Sequence, residues 1–257
     1  MKYALSNKDR IEATPKANGI CQCCGSELVA KCGTQKIWHW AHKGKRNCDH
    51  WWENETQWHR DWKDNFPKEW QEVVHLSEDG EKHIADVKTP NGLVVEFQHS
   101  AISAKEKLSR ETFYKNMIWV VDGLRLKHDF SRFEKDNPAF RTWPNNKIHK
   151  IHYAEFVFPK LWLGRTVPVI FDWGYGPEPG SIYWHKLVSR LLICLLPQYD
   201  EYVAADCFSI PRSSLTKMIN DEDKTWNNHV KLGLWADLMI IAPASAKTLS
   251  KMVNGDC

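Results

Sequence analysis

HIADVKTPNGLVVEFQHS, residues 83–100, reads as a β-hairpin with an acid in each strand. Ile84–Lys88 and Leu93–Gln98 are strand-like runs, and Pro90-Asn91-Gly92 is the turn signal between them. Asp86 and Glu96 stand where the pattern asks for apolar side chains. Strand side chains alternate faces, so Glu96 and Gln98 share one. A three-residue loop at 90–92 pairs position 86 with position 96, with Cβ atoms roughly 5 Å apart. A two-residue Asn-Gly turn would put Glu96 opposite Val87 and separate the acids. Two carboxylates this close repel each other unless a cation bridges them, and an all-oxygen pair suits Mg²⁺ or Mn²⁺. Such an ion binds a phosphate oxygen and activates a water. Gln98 would then orient that water or stabilise the developing charge. An exposed hairpin with ordinary surface acids is the alternative.

The flanking sequence extends the pattern. A helix is expected over roughly 54–66, capped by Asn54 and ended by Pro67. Trp70–Leu76 is a further strand, with Glu78-Asp79-Gly80 as its turn. Ser103-Ala104-Lys105-Glu106 has capping-box spacing and starts a helix running to about Asn116. Met117–Val121 is a buried-strand run closed by Asp122-Gly123. The order is α-β-β-β-α-β. Glu55, His59 and Lys63 fall on one helical stripe. Glu55 would add a third carboxylate to the metal, His59 would act as general base or water ligand, and Lys63 would meet phosphate. A solvated charged face is the commoner meaning of such a stripe. Arg110 and Tyr114 share a stripe on the next helix, as phosphate contacts or plain surface residues. Residues 124–150 are polar, with loops and some helix. Residues 151–215 mix short apolar runs with a Gly/Pro loop at Gly174–Gly180, an accessory subdomain with no legible chemistry.

Composition sets the outer bounds. The 257 residues are 42% hydrophobic and 26% charged, ordinary for a globular chain. No run approaches the ~18 apolar residues that a membrane span needs. MKYALSNKDR has no signal-peptide core, so a cytoplasmic location is expected. The first 50 residues hold nine Lys/Arg against four Asp/Glu, a mild sign of phosphate contact. Six of the 14 Trp fall between Trp38 and Trp62, and packing is their commoner role.

Five of the eight Cys lie within residues 21–48, which in a reducing compartment indicates a metal site. Cys21 and Cys24 have CxxC spacing, His39 and His42 follow in HWAH, and Cys48 comes next. Two thiolates and two imidazoles close a tetrahedral zinc site. Cys48 is available to replace one His, and Cys23 leaves the register open. The zinc would be structural.

Together, CxxC, HWAH, ENETQWHRDWK (residues 53–63), the hairpin, SRETFY (residues 109–114) and IWVVDG (residues 118–123) resemble the competence protein CoiA-like family. The resemblance covers roughly residues 15–125 and continues more weakly to about 215. It implies a zinc-finger-like module over 1–50 followed by a restriction-endonuclease-like core of PD-(D/E)XK type over 51–125, with residues 126–215 read as the accessory region. In that pattern Asp86 and Glu96 are the metal-binding acids, Glu55 the first-helix acid, and Gln98 stands where the commoner motif has Lys. DNA is the implied substrate and metal-dependent phosphodiester hydrolysis the implied activity. A zinc-containing nucleic-acid binder with the nuclease fold and little turnover is the alternative.

The tail, within 216–257, resembles a middle segment of flavin-dependent phosphopantothenoylcysteine decarboxylases. His229 falls on that family's catalytic His. Ala244-Ser245-Ala246-Lys247-Thr248 falls on its A-S-A-N-T motif, with Lys247 in place of Asn. Trp235–Pro243 is expected as a strand and Ala244–Asn254 as a helix. One such unit cannot build a doubly wound sheet, so a fusion remnant or a partner-docking element is expected rather than a decarboxylase.

Overall fold

The computed structural model describes residues 1–44, 48–51, 53–136, 149–164, 166–174, 191–195 and 204–220. These fall into two compact units of mixed α and β structure, divided between Asn116 and Met117. Residues 224–257, with the expected strand and helix and with His229 and Lys247, lie outside the described residues. Among the described residues no helix is long and apolar enough to cross a membrane.

The first unit opens with β1 (Tyr3–Ser6), β2 (Asp9–Glu12), β3 (Asn18–Ile20), β4 (Glu27–Lys31) and β5 (His39–His42). They form an antiparallel sheet in the order β2-β1-β3-β4-β5. One face buries Met1, Ala4, Ala13, Cys21, Leu28 and Trp40. Trp40 is 1% exposed, and its Nε1 donates to the Ile11 carbonyl at 3.1 Å. Gly19 makes room for the indole: a Cβ there would sit 2.7 Å from Ala4 Cβ and 3.1 Å from the Trp40 ring.

Next comes α1 (Gln57–Lys63), which begins later than the sequence suggests. Its cap is Thr56, not Asn54. The Thr56 hydroxyl accepts from the His59 backbone, and His59 Nδ1 accepts from the Thr56 N–H at 3.1 Å. Histidine thus takes the place of Glu or Gln in a capping box, a substitution that the usual sequence signature misses. The helix gives way at Asp64, ahead of Pro67.

A meander of β6 (Gln71–Leu76), β7 (Lys82–Lys88) and β8 (Val94–Gln98) follows. Val87 faces Val95 and Lys88 faces Val94, which is the three-residue-loop register. Gly92, at φ 82°, supplies the left-handed conformation that the loop needs. Asp86 is therefore level with Glu96. Gln71 faces Val87 and Val73 faces Ala85, so Glu72 is level with Asp86 on the other side. Three adjacent strands carry a carboxylate in one row. α2 (Ala104–Tyr114) then starts at its Ser103 cap, whose hydroxyl accepts from Glu106 N at 3.1 Å. The Glu106 carboxylate turns to Arg110 instead of back to the cap.

The second unit contains β9 (Met117–Asp122), α3 (Lys127–Asp136), β10 (His149–His152), α4 (Ala154–Val157), β11 (Val169–Asp172), β12 (Leu191–Leu195), β13 (Ala204–Pro211) and α5 (Arg212–Asn220). Its strands lie in the order β10-β13-β12-β11-β9, with only the β11–β9 pair parallel. Trp119, Phe133, Phe158, Phe171 and Trp173 fill its core. The apolar run AEFVF within residues 151–215 becomes α4 and the residue after it, and VIF and LLICL lie in β11 and β12.

Two predictions follow from this packing. Gly19→Ala drives a methyl into Ala4 and Trp40 and should destabilise the first unit by about 1–3 kcal/mol, read as a lowered midpoint in urea or heat. His83 on β7 is bonded through Nδ1 to Asp49 at 3.0 Å and through Nε2 to Glu81 at 2.8 Å. Burial pulls its pKa down, but these two carboxylates outweigh it and the pKa is raised. The stabilisation is fully present below the unfolded value of about 6.5 and is lost as pH rises through the folded value. Thermal midpoints should fall as pH rises above neutral, and His83→Gln should flatten that slope.

Candidate active site and metal centre

β6, β7, β8, α1 and the chain before α1 enclose a cavity of about 70 Å³ in the first unit. Six acids line it: Asp49, Glu53, Glu55, Glu72, Asp86 and Glu96. Lys63 and Arg110 are the cationic side chains there, with His59 beside them. The space is large enough for several waters or a hydrated ion.

The hairpin acids replace part of their own ladder. The Asp86 N–H donates to Glu96 Oε1 at 3.2 Å, and the Phe97 N–H donates to Asp86 Oδ2 at 3.0 Å. Each carboxylate is thereby fixed in direction, as a ligand must be for a small hard cation. Glu96 Oε2 also accepts from Arg110 at 3.1 Å.

Lys63 is 2% exposed and is held by three acids. Its Nζ lies 2.5 Å from Glu55, 3.0 Å from Glu72 and 3.7 Å from Asp86. Burial pulls the Lys63 pKa down, yet Glu72, Glu55 and Asp86 together raise it, so the ammonium stays charged. Glu72 has a left-handed backbone at φ 49°, unusual for a non-glycine residue. Its carboxylate accepts from Lys2 N at 2.7 Å and Tyr3 N at 3.0 Å, which secures the strained conformation.

The acids divide into two groups. Burial pushes Glu55 and Glu72 up, but Lys63 and the N-terminal ammonium, joined by Arg60 at Glu55, outweigh it and both are lowered. Glu53 is pulled down to about 2 against burial, by His59 and by the groups at Ser100 and His99. Asp86 goes the other way, raised by burial. Glu96 is pushed up to about 8, by burial and then by the Asp86 carboxylate. At the hairpin pair burial prevails over the cation that meets each acid, Lys63 at 3.7 Å from Asp86 and Arg110 at 3.1 Å from Glu96.

Several expected roles are corrected. Glu55 precedes the Thr56 cap instead of riding on the helix, and its carboxylate is bound by Arg60 at 2.8 Å and by Lys63. It is not presented as a third carboxylate beside Asp86 and Glu96. Among the described residues, the acids of the cavity form no set of three whose ligand atoms lie within 4.8 Å of one another. His59 is committed at both nitrogens: Nδ1 accepts from Thr56, so Nε2 carries the proton, which goes to Glu53 at 2.5 Å. It positions Glu53 and is not a free base. Gln98 donates through Nε2 to Glu53 at 3.1 Å and to the Ser100 carbonyl at 3.0 Å, leaving its buried Oε1 without a protein partner. Arg110 and Tyr114 are 5% and 4% exposed, because Arg110 neutralises Glu96 and Tyr114 packs near Trp51. Both are buried within the first unit, not on an exposed helical face.

Sequence reasoning missed Glu53 and Glu72. Glu72 carried the signal used for Asp86 and Glu96, an acid inside a strand run. Glu53 opens ENETQWHRDWK, where only Glu55 was weighed.

The Cys/His module resolves to four residues. Cys21, Cys24, His42 and Cys48 place their ligand atoms within 4.8 Å of one another. Cys21 Sγ is 3.8 Å from Cys48 Sγ, and His42 Nε2 is 3.4 Å from Cys24 and 3.3 Å from Cys48. Zinc bonds of about 2.3 Å to sulfur and about 2.0 Å to nitrogen, arranged tetrahedrally, need separations of this size. Against burial, Ser26 and His42 draw the Cys24 thiol down to about 6. The cluster can bind zinc. His39 is excluded because it lies three residues from His42 on one strand, hence on the other face. Its Nδ1 bonds the Ile37 carbonyl at 2.8 Å instead. Cys23 packs against the module's core.

Residues 4–50, with all four of these ligands, match the family described as competence protein CoiA, N-terminal domain. Residues 198–257 match the family described as flavoprotein. Over a short segment the chain is 54% identical, across 41 residues, to a cysteine/cysteine sulfinic acid decarboxylase of an unknown prokaryotic organism. That segment is 16% of this chain and 11% of the relative. Phosphopantothenoylcysteine decarboxylase HAL3 of Malus domestica is 40% identical over 58 residues, 20% of this chain and 27% of that protein. No solved structure matches significantly. The chain thus resembles a competence protein at one end and a flavoprotein at the other. The described part of the flavoprotein match is β13 and α5, and β13 is antiparallel to both of its neighbours.

The zinc assignment predicts a clear split. Metal analysis should find one zinc per chain, lost in Cys48→Ser and retained in His39→Ala.

Proposed function

We propose that the chain is a metal-dependent deoxyribonuclease with a PD-(D/E)XK-type core and a CoiA-like zinc module. The carrying observation is the Asp86–Glu96 pair, fixed in direction by backbone N–H groups in an acid-lined cavity. Asp86 and Glu96 would hold Mg²⁺ or Mn²⁺, ions that bind through one or two carboxylates and leave sites for waters and substrate phosphate. When bound, the ion supplies Lewis acidity and a more acidic water.

The remaining work falls to the chain's own groups. Gln98 cannot supply the cation that the commoner motif's Lys supplies, and its N–H bonds are spent on Glu53 and Ser100. Lys63 brings an ammonium to 3.7 Å from Asp86 from the helix side, where it offsets charge that develops on the phosphate. Glu53, His59 and Gln98 form a braced chain behind the hairpin. Arg110 offsets Glu96 and keeps the pair from being doubly uncompensated. The order α1-β6-β7-β8-α2-β9 agrees with the core order of that nuclease class. The competence-protein match at residues 4–50 supports DNA as the substrate.

One observation favours the nucleic-acid-binding alternative with weak turnover. Lys63 is already claimed by three carboxylates, which limits how far its charge reaches a phosphate.

Cleavage of labelled DNA by the zinc-loaded chain with Mg²⁺ or Mn²⁺ tests the proposal. Asp86→Ala should lower the rate by on the order of 10³-fold, since several kcal/mol of metal assistance is lost. Lys63→Ala should lower it by roughly 10²-fold, with partial recovery in Lys63→Arg. Cleavage that survives Asp86→Ala would sink the nuclease reading, and DNA binding without any cleavage by the folded wild type would establish the alternative.

A further inference from the structure

We propose that the β4–β5 hairpin is a track for a single strand of nucleic acid, leading into the acid-lined cavity. The inference rests on the nuclease reading only for what happens at the end of the track. From Leu28 to Cys48 the chain has four Lys and one Arg and no acid. A shallow groove runs along this hairpin, lined by Lys31, Gln35, Lys36 and His39. Gln35, Lys36 and His39 also line the next depression, which reaches Glu55. Glu55 in turn lines the cavity. The groove and the cavity are therefore consecutive stretches of one surface within the first unit.

Trp38 sits at the end of the hairpin loop. It is 47% exposed, and no described ring stacks on it. Its backbone is anchored, because Arg60 donates to the Trp38 carbonyl at 3.1 Å and to Glu55 at 2.8 Å with the same nitrogen. One guanidinium thus ties the backbone at Trp38 to Glu55 at the rim of the cavity. A solvated indole is costly to keep, and burying it elsewhere would be the ordinary solution. Flanked in sequence by Lys36 and Lys43 on an acid-free segment, it matches the pairing of lysines with a stacking aromatic that binds unpaired bases. Only an unpaired base offers its face to an indole. In a duplex the faces are covered, so the track selects a single strand. The polarity of the route also fits: cations collect the phosphates, and the acids at its end require a divalent ion before a phosphate can enter.

The test is binding, kept apart from cleavage. Fluorescence anisotropy would follow a labelled oligothymidylate and a matched duplex with the zinc-loaded full chain, without Mg²⁺ or Mn²⁺. The single strand should bind more tightly. Trp38→Ala should weaken single-strand binding about tenfold and leave the duplex unchanged. Lys31→Glu with Lys36→Glu should weaken it at least about tenfold and reduce the salt slope by about 1.4, the value for two phosphate contacts on a single strand. All three side chains are exposed, so a thermal melt should show that the variants fold as the wild type does. Tighter duplex binding, or single-strand affinity unchanged in both variants, overturns the track. If binding follows expectation and no metal supports cleavage, the track stands and the nuclease reading falls. If cleavage depends on Asp86 and both variants bind as wild type, the track alone falls.

Discussion

The Lys63 ammonium is the interaction on which the first unit turns. It joins α1 to Glu55 before the helix, to Glu72 on β6 and to Asp86 on β7. A buried ammonium costs several kcal/mol to desolvate, and only this ring of carboxylates offsets that cost. The dependence is mutual. Without Lys63, Glu55 and Glu72 would be buried charges with one fewer cation, and removing one partner of such a set typically costs about 3–5 kcal/mol. The strained backbone at Glu72 belongs to the same arrangement: its carboxylate is pinned by Lys2 and Tyr3 on one side and by Lys63 on the other. Packing of the helix on the meander and charge balance in the cavity are one constraint.

That constraint also explains why the acids behave differently from one another. Glu55 and Glu72, close to both Lys63 and the N-terminal ammonium, are lowered from the ordinary carboxylate value. Asp86 and Glu96 each meet one shared cation, the Lys63 ammonium at 3.7 Å and a guanidinium that also serves Glu106 and the Trp51 carbonyl. Burial outweighs both, and the two carboxylates are raised. The proposed cation site rests on the direction of these two carboxylates and not on the number of acids, since clusters of acids are common without an ion.

Much of this was legible because a few residues fix geometry locally. Pro90-Asn91-Gly92 set the hairpin register, and with it the Asp86–Glu96 alignment, before any tertiary contact is considered. The Ser103 cap and the Gly-flanked strand at Met117 were similarly local. The misreadings came where tertiary partners decide. Asn54 and Thr56 are both good caps, and the choice fell to His59, whose ring reaches back to the cap while its other nitrogen meets Glu53. A charged stripe on α2 reads as solvent-facing from sequence alone, but Arg110 turns inward because Glu96 needs it. The zinc set was ambiguous only while HWAH had no secondary structure. As a strand, its two histidines point to opposite faces, so one of them had to drop out.

The position of the missing lysine bears on how a motif should be read. A strand motif with Lys two residues after the acid places an ammonium beside the metal from the strand's own face. Here Gln98 occupies that position and is turned to Glu53, so the strand face provides no cation. The requirement is spatial, a positive group near Asp86, and any element lining the cavity can meet it. In the proposed nuclease Lys63 would do so from the helix, 35 residues earlier than Gln98, through its long aliphatic stem. The sequence offset in a motif is a shorthand for geometry. When the offset fails, the cavity itself identifies which residue carries the charge.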